Sequence, residues 1–89
     1  MYFEWDRAKG LRNQRKHKVT LDEAVTVFHD ALSATFADPD HSTGERRLIT
    51  IGYSSRGHLL VVAHLEDDEI IRIISARLAT KPERNRHET

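Results

Sequence analysis

The stretch HLLVVAHLEDDEIIRIISARL, residues 58–78, decides the fold. His58 to Leu65 is apolar at successive positions, so both of its faces call for burial, as in a strand at the middle of a sheet. Glu66-Asp67-Asp68-Glu69 is a wholly acidic turn. Ile70 to Ala76 then returns as a further strand, dense in β-branched side chains. Upstream, Arg47 to Ser54 alternates, with Ile49, Ile51 and Tyr53 on one side, and Ser54-Ser55-Arg56-Gly57 turns it into the central strand. The three segments read as an antiparallel meander.

Side chains two apart along a strand share a face. Arg72 therefore shares a face with Ile74 and Ala76, whereas Ile71, Ile73, Ser75 and Arg77 point the other way, Arg77 being free at the strand end to swing to either side. If helices cover the Ile71/Ile73 face, Arg72 projects onto the open one. An arginine among β-branched residues needs water or an anion for its head, which makes Arg72 a candidate phosphate contact. The plainer alternative is an ion pair with Glu66 or Asp67.

Before the meander, Tyr2-Phe3-Glu4-Trp5 alternates as a short strand, and Asp6 offers a cap to a mostly polar helix that begins at Arg7 and ends near His17-Lys18. Asn13 and His17, one turn apart, read as ties between that helix and its neighbours. Thr20-Leu21-Asp22-Glu23 is a capping box for a second helix, with Val19 and Ala24 as its hydrophobic staple. Leu21, Ala24, Val25, Phe28 and Leu32 recur at helical spacing and define one buried face. A short extended piece around Thr35-Phe36-Ala37 leads into a polar loop from Asp38 to Gly44. After the meander, Thr80-Lys81-Pro82-Glu83 caps a short closing helix.

Eighty-nine residues suit one domain, residues 1–89, with two packed layers. The chain contains no cysteine, so its stability comes from packing and not from disulfides or thiolate metal sites. It shows no run of eighteen apolar residues and no signal peptide, and reads as cytoplasmic with no membrane partner. The formal net charge is zero, yet the charges are sorted. Arg7, Lys9, Arg12, Arg15, Lys16 and Lys18 crowd the first helix without an acid. Lys81, Arg84, Arg86 and His87 crowd the end, and the segment between 19 and 45 carries acids only.

Chemistry can come from a few places. His87 lies four residues after Glu83 and three after Arg84, so one helical turn brings an imidazole to a carboxylate and a cation. The loop around His41, Glu45, Arg46 and Arg47 gathers an imidazole, a carboxylate and two guanidinium groups. The six histidines show no HxH, HxxxH or HExxH spacing, so no metal site is expected, and no glycine loop cradles a phosphate. For stacking on bases, only Tyr53 and Trp5 stand out, as single aromatics.

The blocks FEWDRAKGLRNQRKHKVTLDEA (3–24), ERRLITIGYSSRGHLLVV (45–62) and IRIISARLATKPERNRHE (71–88) resemble, in this order, the BrnT-type toxins of bacterial toxin-antitoxin pairs. The resemblance implies an α+β, RelE-like fold, two N-terminal helices packed on an antiparallel β-sheet with a short C-terminal helix. It also implies a ribonuclease without metal or other cofactor that blocks translation. Its partners would be RNA and a BrnA-like ribbon-helix-helix antitoxin in a hetero-oligomer, with promoter DNA reached only through the antitoxin. The similar positions are Glu45, Arg46, Arg72, Ser75, Ala76, Arg77, Glu83 and Arg84. His87 stands where family members commonly have tyrosine.

On this reading Arg72 and Arg77 converge with the closing helix on one hollow. Glu45, with His41 or His87 as rivals, takes the proton of a 2′-hydroxyl, Arg72 and Arg77 stabilise the phosphoryl charge, and His87 protonates the leaving 5′-oxygen to leave a 2′,3′-cyclic phosphate. His41, Arg46, Lys81 and Arg84 bind the strand. The alternatives are a non-catalytic RNA- or protein-binding module, or an inactive toxin that retains only its antitoxin contact.

Overall fold

A computed structural model of the chain describes residues 1–40 and 46–89. The meander is present as β3 (Arg47–Tyr53), β4 (Leu59–Asp67) and β5 (Ile70–Leu78). Asp68 turns the β4–β5 hairpin with a φ of 58°, the left-handed region that aspartate tolerates. Two outer strands complete the sheet, β1 (Tyr2–Glu4) and β2 (Ala34–Ala37), in the order β1-β5-β4-β3-β2. The apolar run of residues 59–64 thus occupies the centre, buried on both sides. Strands β2 to β5 are antiparallel, whereas β1 lies parallel to the first residues of β5, Tyr2 opposite Ile70 and Glu4 opposite Arg72.

Helices α1 (Arg7–His17) and α2 (Leu21–Thr26) cover one face. Val19, Leu21, Ala24 and Val27 bury themselves there against Leu60, Val62, Ile71, Ile73 and Ala76. At about 1.5–3 kcal/mol for each large apolar side chain fully buried, this layer supplies most of the driving force for folding. Asp6 caps α1 by accepting from the Lys9 N–H at 3.0 Å, and Lys18, φ 60°, ends it. Thr20 caps α2, but its box is half made, because Glu23 turns away. The buried Glu23 carboxylate instead accepts from Ser54 Oγ and from His58 Nδ1, both at 2.7 Å, and pins α2 to the β3–β4 turn.

The expected second helix ends early. It tightens into a 3₁₀ turn at Val27–His29, and Leu32, assigned from spacing to the buried face, is 79% exposed. Asp30 is the cause: its carboxylate accepts from the N–H of Leu32 at 3.0 Å and of Tyr53 at 2.8 Å, competing with helical bonding and drawing the chain onto β3. Gly52 lets this happen, since a Cβ there would stand 2.8 Å from Ser33 Cβ and 3.0 Å from Val27 Cγ1.

Strand parity also needs a correction. Ala63 pairs with Ser75 but His64 pairs with Ile73, so Ile74 is the extra residue of a β-bulge. Beyond it the faces exchange. Ile71, Ile73 and Ala76 all face the helices, while Ser75 and Arg77 join Arg72 on the open side, contrary to the simple alternation. Asn13 secures the bulged strand. Its amide donates to the carbonyls of Val19 and Ala76, both at 2.9 Å, and accepts from the Ala76 N–H at 3.0 Å. This meets the edge that β1 leaves bare, so Asn13 is the tie expected of it.

Asn13→Ala would leave both peptide groups of Ala76 without their partner. The expected loss is about 2–4 kcal/mol of unfolding free energy, read from urea titration. Fully buried His64 offers a second measurement. Its Nε2 lies 2.7 Å from Thr50 Oγ, and burial pushes the imidazole down from 6.5 to about 4. The unfolded chain takes up a proton that the folded chain refuses between these values. Stability should fall as pH drops from 6.5 towards 4, by up to about 1.4 kcal/mol per pH unit. His64→Gln should flatten that slope.

Candidate functional site

Among the described residues, the face opposite α1 and α2 is covered only by α3 (Lys81–Glu88), which folds back across it. Between α3 and the sheet lies a cleft of about 830 Å³. Its floor is apolar: Ala34 and Phe36 from β2, Ile49 and Ile51 from β3, Val61 and Ala63 from β4. Around this floor stand Arg47, Arg77, Arg86 and two imidazoles, His17 from the end of α1 and His87 from α3. Asp38, Asp40 and Glu83 contribute carboxylates.

No residue of α3 is buried, so polar bonds hold it in place. At its first turn Thr80 and Glu83 form a complete capping box, and Pro82 suits the start of the helix. Glu83 also clamps Arg77, accepting from its two terminal nitrogens at 2.7 and 2.9 Å. This bidentate pair drives the Glu83 carboxyl down to about 2 and raises Arg77. Glu83 therefore stays ionised near neutrality and has no proton to donate. At the last turn the Tyr53 hydroxyl donates to Glu88, a bond that raises the phenol. The Tyr53 ring lies 6.2 Å from that of His87, inclined at 55°.

Arg47 is also paired. Its Nε is 3.4 Å from Asp38 Oδ2, while its carbonyl accepts from the Asp38 N–H at 2.9 Å. Asp38 accepts in turn from the Asp40 N–H at 3.0 Å, so residues 38–40 are anchored beside the cleft. Arg86 differs from these two arginines: no ion pair engages it among the described residues. Among the described residues, no group of three or more histidine, aspartate or glutamate side chains is placed to hold a metal ion.

Arg77 and His87, expected from sequence, meet in the cleft. Arg72 does not join them. It lies on the same face but five residues back along β5, roughly 15 Å at the usual rise, and its guanidinium bonds Glu4 at 2.8 Å. That partner is neither Glu66 nor Asp67, because β1 was not foreseen beside β5. Arg84 pairs with Glu88 at 3.8 Å, and neither it nor exposed Lys81 lines the cleft. Arg46 is exposed just before β3. His41 and Glu45 lie outside the described residues.

Sequence reasoning missed His17, Phe36 and Arg86 as cleft residues, and named Arg47 only with the polar loop before β3. Arg47 was legible, since it shares strand parity with Ile49 and Ile51, and Arg86 adjoins His87. His17 was not, because its place depends on where α1 ends against β5.

The model of the family described as "Ribonuclease toxin, BrnT, of type II toxin-antitoxin system" matches residues 5–83. The chain belongs to this family of type II toxins, as its three sequence blocks indicated. Its structure is similar to the crystal structure of the Brucella abortus ribonuclease toxin, BrnT, with a TM-score of 0.71 at 21% identity, over 91% of this chain and 99% of that one. At that identity the likeness concerns the fold. No curated protein matches the sequence. Among the described residues, no helix is long and apolar enough to cross a membrane.

The clamp on Arg77 makes a measurable prediction. Glu83→Gln should cost about 1–2 kcal/mol, less than the shift alone suggests, because Arg77 is 40% exposed and water screens the pair. A carboxyl depressed from 4.5 to about 2 stabilises the fold fully above 4.5 and loses that contribution as pH falls towards 2. The gap between the two proteins in thermal unfolding should be constant above pH 4.5 and close near pH 2.

Proposed function

We propose that this chain is an endoribonuclease toxin that cuts RNA in the cleft under α3, and by doing so inhibits translation. The observation that carries this reading is the meeting of two imidazoles with Arg47, Arg77 and Arg86 in one cleft of a chain from a ribonuclease-toxin family. The reaction is a transesterification without metal. A base removes the 2′-hydroxyl proton, the 2′-oxygen bonds to phosphorus, the bond to the 5′-oxygen breaks, and an acid protonates that oxygen. A 2′,3′-cyclic phosphate and a 5′-hydroxyl result.

His87 serves as the acid. His17, from a different element of the same cleft, joins Glu45 as a candidate base, with His41 a further rival. Arg86, without an ion pair among the described residues, meets the phosphoryl oxygens, while the fixed Arg77–Glu83 pair orients donors without supplying much net charge. Arg46, Arg72, Lys81 and Arg84 lie outside the cleft and hold the flanking RNA backbone. A BrnA-like ribbon-helix-helix antitoxin neutralises the toxin in a hetero-oligomer by covering the cleft, and it alone meets promoter DNA.

The compensation of Arg77 by Glu83 and of Arg47 by Asp38 favours a second reading, a module that holds RNA or its antitoxin without reaction. Labelled RNA incubated with the protein in EDTA separates them. New termini bearing a cyclic phosphate are expected, with kcat reduced by about 10²-fold or more in His87→Gln. Retention of RNA without new termini would favour the module. A base must be unprotonated and an acid protonated, so rate should rise and then fall with pH. His17→Gln should remove the rising limb and His87→Gln the falling one. A rising limb that survives His17→Gln assigns the base to Glu45 or His41.

A further inference from the structure

We propose that Phe36 is the stacking platform of a one-base subsite on the floor of the cleft, so that the site takes RNA with an unpaired base and rejects the duplex. The identity of the ligand rests on the ribonuclease reading above. The platform itself rests on the floor.

Phe36 lies on outer strand β2, in register with Ile49, and is 50% exposed. Of the other aromatic rings on the sheet, Phe3 packs on Phe28 with centroids 5.2 Å apart and Tyr53 lies beside His87. Tyr2, 68% exposed, stands on β1 at the far edge and does not line the cleft. Phe36 has no ring partner among the described residues. Burial in the core does not explain it, because all four residues of β2 are exposed.

Its surroundings select a base over a phosphate. Ala34, Ile49, Ile51, Val61 and Ala63 extend the surface with aliphatic groups that offer an anion nothing. The cations stand around this floor, with no ion pair engaging Arg86 among the described residues. An apolar plate bordered by guanidinium groups complements a nucleotide: the base lies on the plate and the backbone meets the charge. A base in an A-form duplex is covered on both faces by its neighbours and paired along its edge, so only a nucleotide free of its complement can present a face to Phe36. One nucleotide supplies both the flat face and the charge, where a protein segment would need an apolar and an acidic side chain set side by side.

Two measurements test this. The first is binding of a fluorescein-labelled RNA 12-mer made resistant by 2′-O-methylation, read by anisotropy, as a single strand and annealed to its complement. The expected result is preference for the single strand, weaker binding by about 5- to 100-fold in Phe36→Ala, and recovery in Phe36→Trp. The second is the rate of cleavage of the unmodified strand and duplex, where wild type should favour the strand at least tenfold. Unchanged single-strand affinity in Phe36→Ala, or equal handling of duplex and single strand, would overturn the proposal. If Phe36-dependent binding appears without cleavage, the platform stands and the ribonuclease reading falls. If Phe36→Ala weakens only the antitoxin complex, the ring belongs to a protein interface and the platform is wrong.

Discussion

One inserted residue organises this molecule. Ile74 breaks the alternation of β5, and the break lets a single strand serve two layers. Ahead of the bulge Ile71 and Ile73 fill the helix-covered core; after it Ala76 does so, which sends Ser75 and Arg77 to the cleft. Without the bulge, uninterrupted alternation would place Arg77 on the same side as Ile71 and Ile73, under α1 and α2. There an unpaired guanidinium would cost several kcal/mol. Asn13 holds the far edge of this strand by bonding both peptide groups of Ala76, so the position of α1, and with it His17, follows from the same irregularity.

The cleft is less cationic than its arginine content suggests. Two of its three arginines face carboxylates, Arg77 by a bidentate bond and Arg47 at 3.4 Å. Such pairing serves position before charge. Glu83 simultaneously closes the capping box of α3 and grips β5, and Tyr53 holds the other end of the helix through Glu88. A helix with no buried side chain is thereby kept over an apolar floor, with Arg86 and His87 directed to it. Substrate charge is left chiefly to Arg86. Catalysis in such a site would draw more on placement than on a strong static field.

The basic blocks at the two ends of the chain meet only in part. From α1 only His17 lines the cleft, and the lysines and arginines of that helix ride the outer layer. Its charge is thus a property of the protein surface, available for steering a polyanion but not for holding one at the reacting bond.

Much was determined by the sequence on its own: the meander, the capping residues of the helices, the closing helix and the family. These follow from local rules, because alternation, capping oxygens and turn residues act over a few positions. Three things waited for the tertiary structure. The bulge at Ile74 is set by pairing with β4 and by Asn13, 63 residues distant in sequence from Ala76. The early end of the second helix reflects Asp30 reaching Tyr53 across to β3. Arg72 is turned to Glu4 because β1 lies parallel beside that strand, a pairing no local rule foresees. Long-range pairing chooses among partners of equal local merit, and no window of sequence records that choice.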